Sequence, residues 1–174
     1  MKPKSILLLI IVIGIIAAVF ALKSSQSPNT AQVGSIMHNF ELTDANQNRI
    51  DLSSLKGSVV FINFWATWCA SCIDEMPSIE RMHRTLSGNS SFKIVSILYK
   101  DDLSRAVRFM QQNGFTFPVY LNTDESAAKM FGITGIPETF IIDKRGMLRH
   151  KVIGPAEWDS PRALEIIQTL IHES

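Results

Sequence analysis

Cys69 and Cys72 are the only two cysteines of the 174-residue chain, and Ala70 and Ser71 separate them. Two intervening residues put the second sulfur within bonding reach of the first. Such a pair can exchange disulfides: one thiolate attacks a disulfide and the other resolves the mixed disulfide that forms. A purely structural bridge closing so short a loop would constrain the unfolded chain little and stabilise little. A zinc site built from cysteines needs a second pair, which the sequence lacks. The four histidines, His38, His83, His150 and His172, are scattered without ligand spacing and read as surface or packing residues. The expectation is therefore a redox-active dithiol that calls for no cofactor and no metal.

The elements that position this pair follow from hydrophobic periodicity. Val59–Trp65 is a near-continuous apolar run interrupted by Asn63, the pattern of a buried central strand. From Cys72 onward Ile73, Met76, Ile79, Met82 and Leu86 recur at helical steps. The dithiol thus falls where a strand gives way to a helix. Unpaired N–H groups and partial positive charge at a helix start favour a thiolate. A cysteine placed there can have its pKa lowered from about 8.5 to roughly 3.5–7.5. Cys69 is expected to be the exposed attacker and Cys72 the more buried resolver.

The other elements read in order. Phe40–Leu42 and Ile50–Leu52 flank a polar turn and predict a hairpin. Strands are expected at Phe92–Leu98, Phe117–Leu121, Thr139–Ile142 and Leu148–Ile153. Helices are expected at Leu103–Gln112, closed by Asn113-Gly114, and at Asp124–Phe131 behind an Asp cap. A last helix is capped by Ser160, with Pro161 at its first position. Alternation of this kind predicts an α/β domain with a mixed central sheet flanked by helices.

The N-terminus has a different composition. Met1-Lys2-Pro3-Lys4 is basic, and Ile6–Leu22 then runs 17 residues without a charge. A bilayer core takes about 17–25 such residues, against about 7–15 in the apolar part of a cleaved signal. Val19-Phe20-Ala21 would suit cleavage, but the length favours an anchor. Residues 1–22 are read as a signal anchor, 23–35 as a polar flexible tether and 36–174 as the folded domain. Lys2 and Lys4 would stay inside, leaving the domain on the outer side of the cytoplasmic membrane as a single-pass protein. The net charge of +1, with no basic run beyond the first residues, gives no reason to expect nucleic-acid binding.

Phe64-Trp65-Ala66-Thr67-Trp68-Cys69-Ala70-Ser71-Cys72, with Pro77 eight residues after Cys69, resembles the thioredoxin-like family. Gly135-Ile136-Pro137-Glu138-Thr139-Phe140-Ile141-Ile142-Asp143 is similar to that family's cis-proline segment and the strand after it. With Tyr99-Lys100-Asp101-Asp102, Asn63 and the N-terminal anchor, the chain looks like the TlpA/ResA/DsbE branch of extracytoplasmic thiol–disulfide proteins, and within it most like DsbE (also called CcmG). The resemblance spans about Ile36 to the C-terminus. It implies a thioredoxin fold with an N-terminal β-hairpin extension and a cis bond at Pro137 facing the dithiol. The backbone of Ile136 would dock a cysteine peptide as an added strand, and Trp68 would be an exposed ring touching substrate. Glu75, one turn after Cys72, would be the acidic residue beside the cysteines that handles the resolving proton. Asp74 reads as solvated, Trp65 as core, and Glu138 either as a partner-selecting group or as a surface carboxylate. Thioredoxin itself carries a strand aspartate where this chain has Asn63, which cannot titrate.

The implied function is reduction of disulfides in the heme-binding Cys-x-x-Cys-His segment of apocytochrome c during cytochrome c maturation, in the periplasmic or equivalent space. A membrane electron donor of the DsbD/CcdA type would restore the dithiol, and the protein would act as a monomer. Other readings are a general extracytoplasmic reductase or oxidase, a thiol peroxidase, and a copper chaperone. The peroxidase reading wants a Thr three residues before the attacking cysteine, where Ala66 stands. Copper carriers of related fold use a wider cysteine spacing.

Overall fold

The computed structural model describes residues 12–14 and 30–173. Residues 12–14 are helical, and the compact folded unit begins at Ala31. The remainder of the expected signal anchor, and of the tether up to residue 29, lies outside the described residues. Among the described residues no helix is long and apolar enough to cross a membrane. The tether expected over 23–35 is too long at its C-terminal end. Ala31 N–H donates to the Met130 carbonyl at 2.7 Å and Gly34 N–H to the Leu148 carbonyl at 2.8 Å. These backbone bonds make residues 31–35 part of the folded unit.

Seven strands form one sheet: β1 (Glu41–Asp44), β2 (Arg49–Asp51), β3 (Val59–Trp65), β4 (Phe92–Leu98), β5 (Val119–Leu121), β6 (Glu138–Ile142) and β7 (Leu148–Ile153). Among the described residues of the folded unit, four α-helices accompany them: α1 (Ala70–Leu86), α2 (Leu103–Asn113), α3 (Ser126–Phe131) and α4 (Pro161–His172). The spatial order is β2-β1-β5-β4-β3-β6-β7. β3, β4 and β5 run parallel, while β6, β7 and the N-terminal hairpin are antiparallel to their neighbours. The expected mixed sheet is present, and the hairpin extends it by pairing β1 with β5.

β3 is buried along its whole length, which is why it reads as an unbroken apolar run. Alternation still sorts its side chains. Val59, Phe61 and Trp65 belong to the core that includes Met76, Ile79 and Met82 of α1 and Ile167 and Leu170 of α4. Val60, Ile62 and Phe64 join Phe131, Phe140, Ile142 and the hairpin's Leu42 on the opposite face. Asn63 therefore falls on the α1 face, in register with Thr139 of β6.

Besides shifts of one or two residues in β1, β2, β6 and α2, three boundaries differ from expectation for identifiable reasons. β5 starts at Val119, not Phe117, because Pro118 has no N–H to give a ladder. α3 starts at Ser126 behind Glu125, whose φ is 56°. The expected cap Asp124 still acts, one residue early, accepting from Ser126 N–H at 3.0 Å. α1 starts at Ala70, two residues before its apolar periodicity begins, because Cys69 is itself the N-cap.

α2 ends on Gly114 at φ 69° and ψ 25°, with its N–H closing the last turn onto Gln111 and Met110 carbonyls. A Cβ built there meets no atom within 4 Å, so any penalty would be conformational alone. Gly114→Ala should therefore destabilise the fold by about 1 kcal/mol, seen as a lower urea midpoint at unchanged slope.

Candidate active site

The polypeptide leaves β3 at Trp65 and enters α1 within five residues, so the dithiol is fixed by the central strand on one side and the 17-residue helix α1 on the other. Cys69 and Cys72 are joined as a disulfide, with Cα atoms 5.3 Å apart. Cys72 N–H donates to Cys69 Sγ at 3.2 Å, so the sulfur takes the place of a capping oxygen and satisfies an orphan helix donor. Solvent exposure is 7% at Cys69 and 0% at Cys72. Cys69 is thus the more accessible sulfur, but it is not the exposed group the sequence suggested. Its seat against the helix start and the Ile136 segment covers most of it.

The residues before Cys69 are held from the connection between β4 and α2. The Asp101 carboxylate accepts from both the N–H and the hydroxyl of Thr67, each at 2.6 Å. Burial acts to raise the Asp101 pKa. The Thr67 hydroxyl and N–H, the Asp102 N–H and the Arg105 charge outweigh it and hold the group below its ordinary value. The ring of Trp68 stands 57% exposed beside the dithiol. Its indole N–H donates to the Lys100 carbonyl at 3.3 Å. Trp65 is buried.

Across from the disulfide, the Ile136–Pro137 bond is cis. The Ile136 carbonyl oxygen lies 3.7 Å from Cys69 Sγ. A disulfide sulfur carries no hydrogen, so this is proximity, whereas a Cys69 thiol could donate there. The segment is braced by Glu138, which is 1% exposed rather than on the surface. Its Oε1 accepts from Thr134 N–H at 3.4 Å, and its Oε2 lies 3.0 Å from Lys151 Nζ. Pairing with a β7 lysine is what allows this carboxylate to be buried.

Glu75 lies one turn after Cys72 and is 2% exposed, facing the sheet, while neighbouring Asp74 is exposed. Its Oε1 accepts from Asn63 Nδ2 at 2.9 Å. Its Oε2 accepts from the Ala156 N–H and from Trp158 Nε1–H, both at 3.0 Å. Burial raises the Glu75 pKa above its ordinary value, against the opposing pull of the Trp158, Ala156 and Asn63 bonds.

Sequence reasoning missed Ala156, Trp158 and Thr139. The first two lie about eighty residues downstream in a non-repetitive connection between β7 and α4. The only available signal was a large aromatic ring in a stretch otherwise rich in turn residues. Among the described residues no cluster of histidine, cysteine and carboxylate groups could hold a metal ion.

The model of the AhpC/TSA family matches residues 33–151. The chain is 36% identical over 137 residues to the thiol-disulfide oxidoreductase ResA of Bacillus subtilis, covering 79% of this chain and 73% of the relative. It is 32% identical over 161 residues to the thiol:disulfide interchange protein DsbE of Pseudomonas aeruginosa, covering 87% and 85%. Among solved structures, a thiol:disulfide interchange protein of the thioredoxin family from Chlorobium tepidum aligns with a TM-score of 0.68 at 26% identity. That alignment covers 82% of this chain and 99% of that one.

The raised Glu75 pKa is also a statement about stability. Between the ordinary carboxylate value and the folded value, the folded chain holds a proton that the unfolded chain has released. The contribution of Glu75 is then most favourable below the ordinary value and falls as pH rises until the folded value is passed. In the oxidised protein, Glu75→Gln should remove this decline while leaving the pH dependence due to other carboxylates. Urea midpoints followed against pH for both proteins would check it. Parallel curves would contradict it.

Proposed function

We propose, from the premise that this chain belongs to the AhpC/TSA family and is a thiol–disulfide oxidoreductase of the ResA/DsbE type with a thioredoxin-like fold, that it works as a membrane-tethered reductant on the outer side of the cytoplasmic membrane. Its substrates are the heme-site disulfides of apocytochrome c. Its electrons come from a membrane donor of the DsbD/CcdA type, and it acts as a monomer. The basic N-terminus followed by the uncharged Ile6–Leu22 run supports the tether.

The observation that carries the chemistry is the placement of Cys69 Sγ, capping α1 and 3.7 Å from the carbonyl of the residue before a cis-proline. In the reduced protein the helix start favours the Cys69 thiolate. A substrate strand docks on the Ile136 backbone against Pro137, with Trp68 beside it, and its disulfide meets Cys69. Cys69 attacks and a mixed disulfide forms. Cys72, buried behind it, gives up its proton to Glu75, attacks Cys69 and releases the substrate thiol.

Ala66 and Thr67 speak against peroxide chemistry. Ala66 stands three residues before Cys69, and the Thr67 hydroxyl is already given to Asp101.

Cys72→Ala should leave substrate bound to Cys69, and Cys69→Ala should leave none. Proteins released from the first variant by reductant should be enriched in Cys-x-x-Cys-His segments. A dithiol potential near the value of about −120 mV typical of a strong oxidase would overturn the direction of electron flow proposed here.

A further inference from the structure

Every hydrogen bond that Glu75 accepts in this site comes from a group that is donating. Asn63 Nδ2 meets Oε1, and the Ala156 and Trp158 N–H groups meet Oε2. An ionised carboxylate, which only accepts, suits this set. A carboxylic acid does not, because its O–H also needs an acceptor. A residue that takes and returns a proton must be tolerable in both forms, and at 2% exposure solvent does little to help.

Of the three partners, two cannot change sign. A backbone N–H and an indole N–H are donors only. The Asn63 amide differs: a half-turn of its end group exchanges Nδ2 for Oδ1 at almost constant shape. Its other contact permits that exchange. The second Nδ2 hydrogen goes to Thr139 Oγ1 at 2.9 Å, and a hydroxyl can either accept or donate. Asn63 and Thr139 are opposed in the β3–β6 ladder, so their backbones need not move.

We propose that Asn63 is a positioning residue whose side-chain amide turns over with the ionisation of Glu75. With Glu75 ionised, Nδ2 donates to Glu75 Oε1 and to Thr139 Oγ1. With Glu75 protonated at Oε1, Asn63 Oδ1 accepts from that O–H and from the Thr139 hydroxyl. With Glu75 protonated, its O–H, Asn63 Oδ1 and the Thr139 hydroxyl remain paired with one another, and the Asn63 Nδ2 hydrogens give up both acceptors.

This rests on the reading of Glu75 as the acceptor of the Cys72 proton. In that step a Cys72–Cys69 bond forms and the Cys69–substrate bond breaks. Its electron pair leaves on the substrate sulfur, and the Cys72 proton passes to Glu75 Oε1. The protein dithiol is oxidised by two electrons and the substrate disulfide is reduced by two.

The groups around Glu75 are uncharged: Asn63 from β3, Thr139 behind it on β6, Ala156 and Trp158 from the β7–α4 connection, and Cys72 on the preceding turn. The charged groups of the packed elements are either exposed, as Asp74, Arg162 and Glu165 are, or engaged with one another. Glu138 pairs with Lys151, Glu157 and Asp159 with Arg81, and Glu80 with Arg84. Asn63 is thus the partner in this set whose hydrogen-bonding sense can follow the proton.

Side-chain NMR of the intact, oxidised chain tests this. On lowering the pH, the two Asn63 Hδ2 resonances should move upfield with the same midpoint as Glu75 Cδ, as both lose their acceptors. In Glu75→Gln, the new amide oxygen faces the Ala156 and Trp158 donors, so its NH2 faces Asn63. The Hδ2 resonances should then sit at the low-pH wild-type position at every pH. Stationary Hδ2 resonances during a Glu75 Cδ titration, or a Glu75→Gln protein at the high-pH position, would overturn the proposal. So would a Glu75 that takes no proton while the chain stays folded. The catalytic reading is judged separately: a Glu75→Gln variant with an unchanged pH–rate profile would sink it whatever the amide does.

Discussion

The Glu75 carboxyl is the point at which three separate parts of the chain are tied. It projects from α1, takes a hydrogen bond from the central strand through Asn63, and takes two more from the β7–α4 connection through Ala156 and Trp158. Removing a carboxyl from water is costly, and the cost is tolerable only where donors replace the lost hydration. Here those donors come from elements far apart in sequence. Satisfying one buried group therefore fixes where the first turn of α1 sits relative to the sheet. Ser78, one turn further on, adds to the tie by accepting from Trp158 N–H at 3.1 Å.

The dithiol inherits its geometry from that tie. Cys72 lies a turn before Glu75, and Cys69 caps the same helix. From the other side, the β4–α2 connection reaches in through Asp101 to hold Thr67. The cis-proline segment is braced through Glu138 and Lys151. Electrostatically these supports do not pull one way. The helix start lowers the cost of a thiolate at Cys69. A carboxylate beneath the pair raises the cost of a second negative charge at Cys72. The asymmetry suits a pair in which one sulfur must be ionised to attack and the other must keep its proton until called upon.

The strands β3 and β4 were legible in the sequence to the residue, because a buried strand imposes an apolar run whose ends are marked by turns, and β7 was legible from the Asp143–Gly146 turn before it. The last helix was equally legible from Ser160 and Pro161, whose effects are local. What the sequence conceals has both local and non-local causes. The start of α1 precedes its apolar periodicity and is hidden because the capping group is a sulfur rather than the usual oxygen. β5 was placed early because Phe117 is buried and apolar, yet Pro118 denies it a ladder. Glu138 reads from sequence as either a partner-selecting group or a surface carboxylate because its partner Lys151 lies on the neighbouring strand. The site shows the same division. Cys69, Cys72 and Pro137 announce themselves by spacing, and Glu75 by lying a turn beyond. Trp158 and Ala156 do not, since nothing in a turn-rich connection says that its N–H groups face a helix eighty residues earlier.

Buried acids in proton-handling sites face a conflict between holding structure and changing charge. A carboxylate that anchors three segments cannot lose its bonds each time it is protonated without loosening what it anchors. Glu75 keeps two of its three bonds on Oε2, from rigid donors that hold in either state, because a protonated carboxyl still accepts through its carbonyl oxygen. In the proposed cycle the proton is confined to Oε1, where the one adaptable partner stands. Dividing the two oxygens in this way separates the structural duty from the chemical one within a single side chain. It also gives a physical reason for an asparagine, rather than a second acid or an apolar residue, in the middle of the most buried strand. An acid would add a charge beside the dithiol, and an apolar side chain would leave Oε1 without a partner in both states.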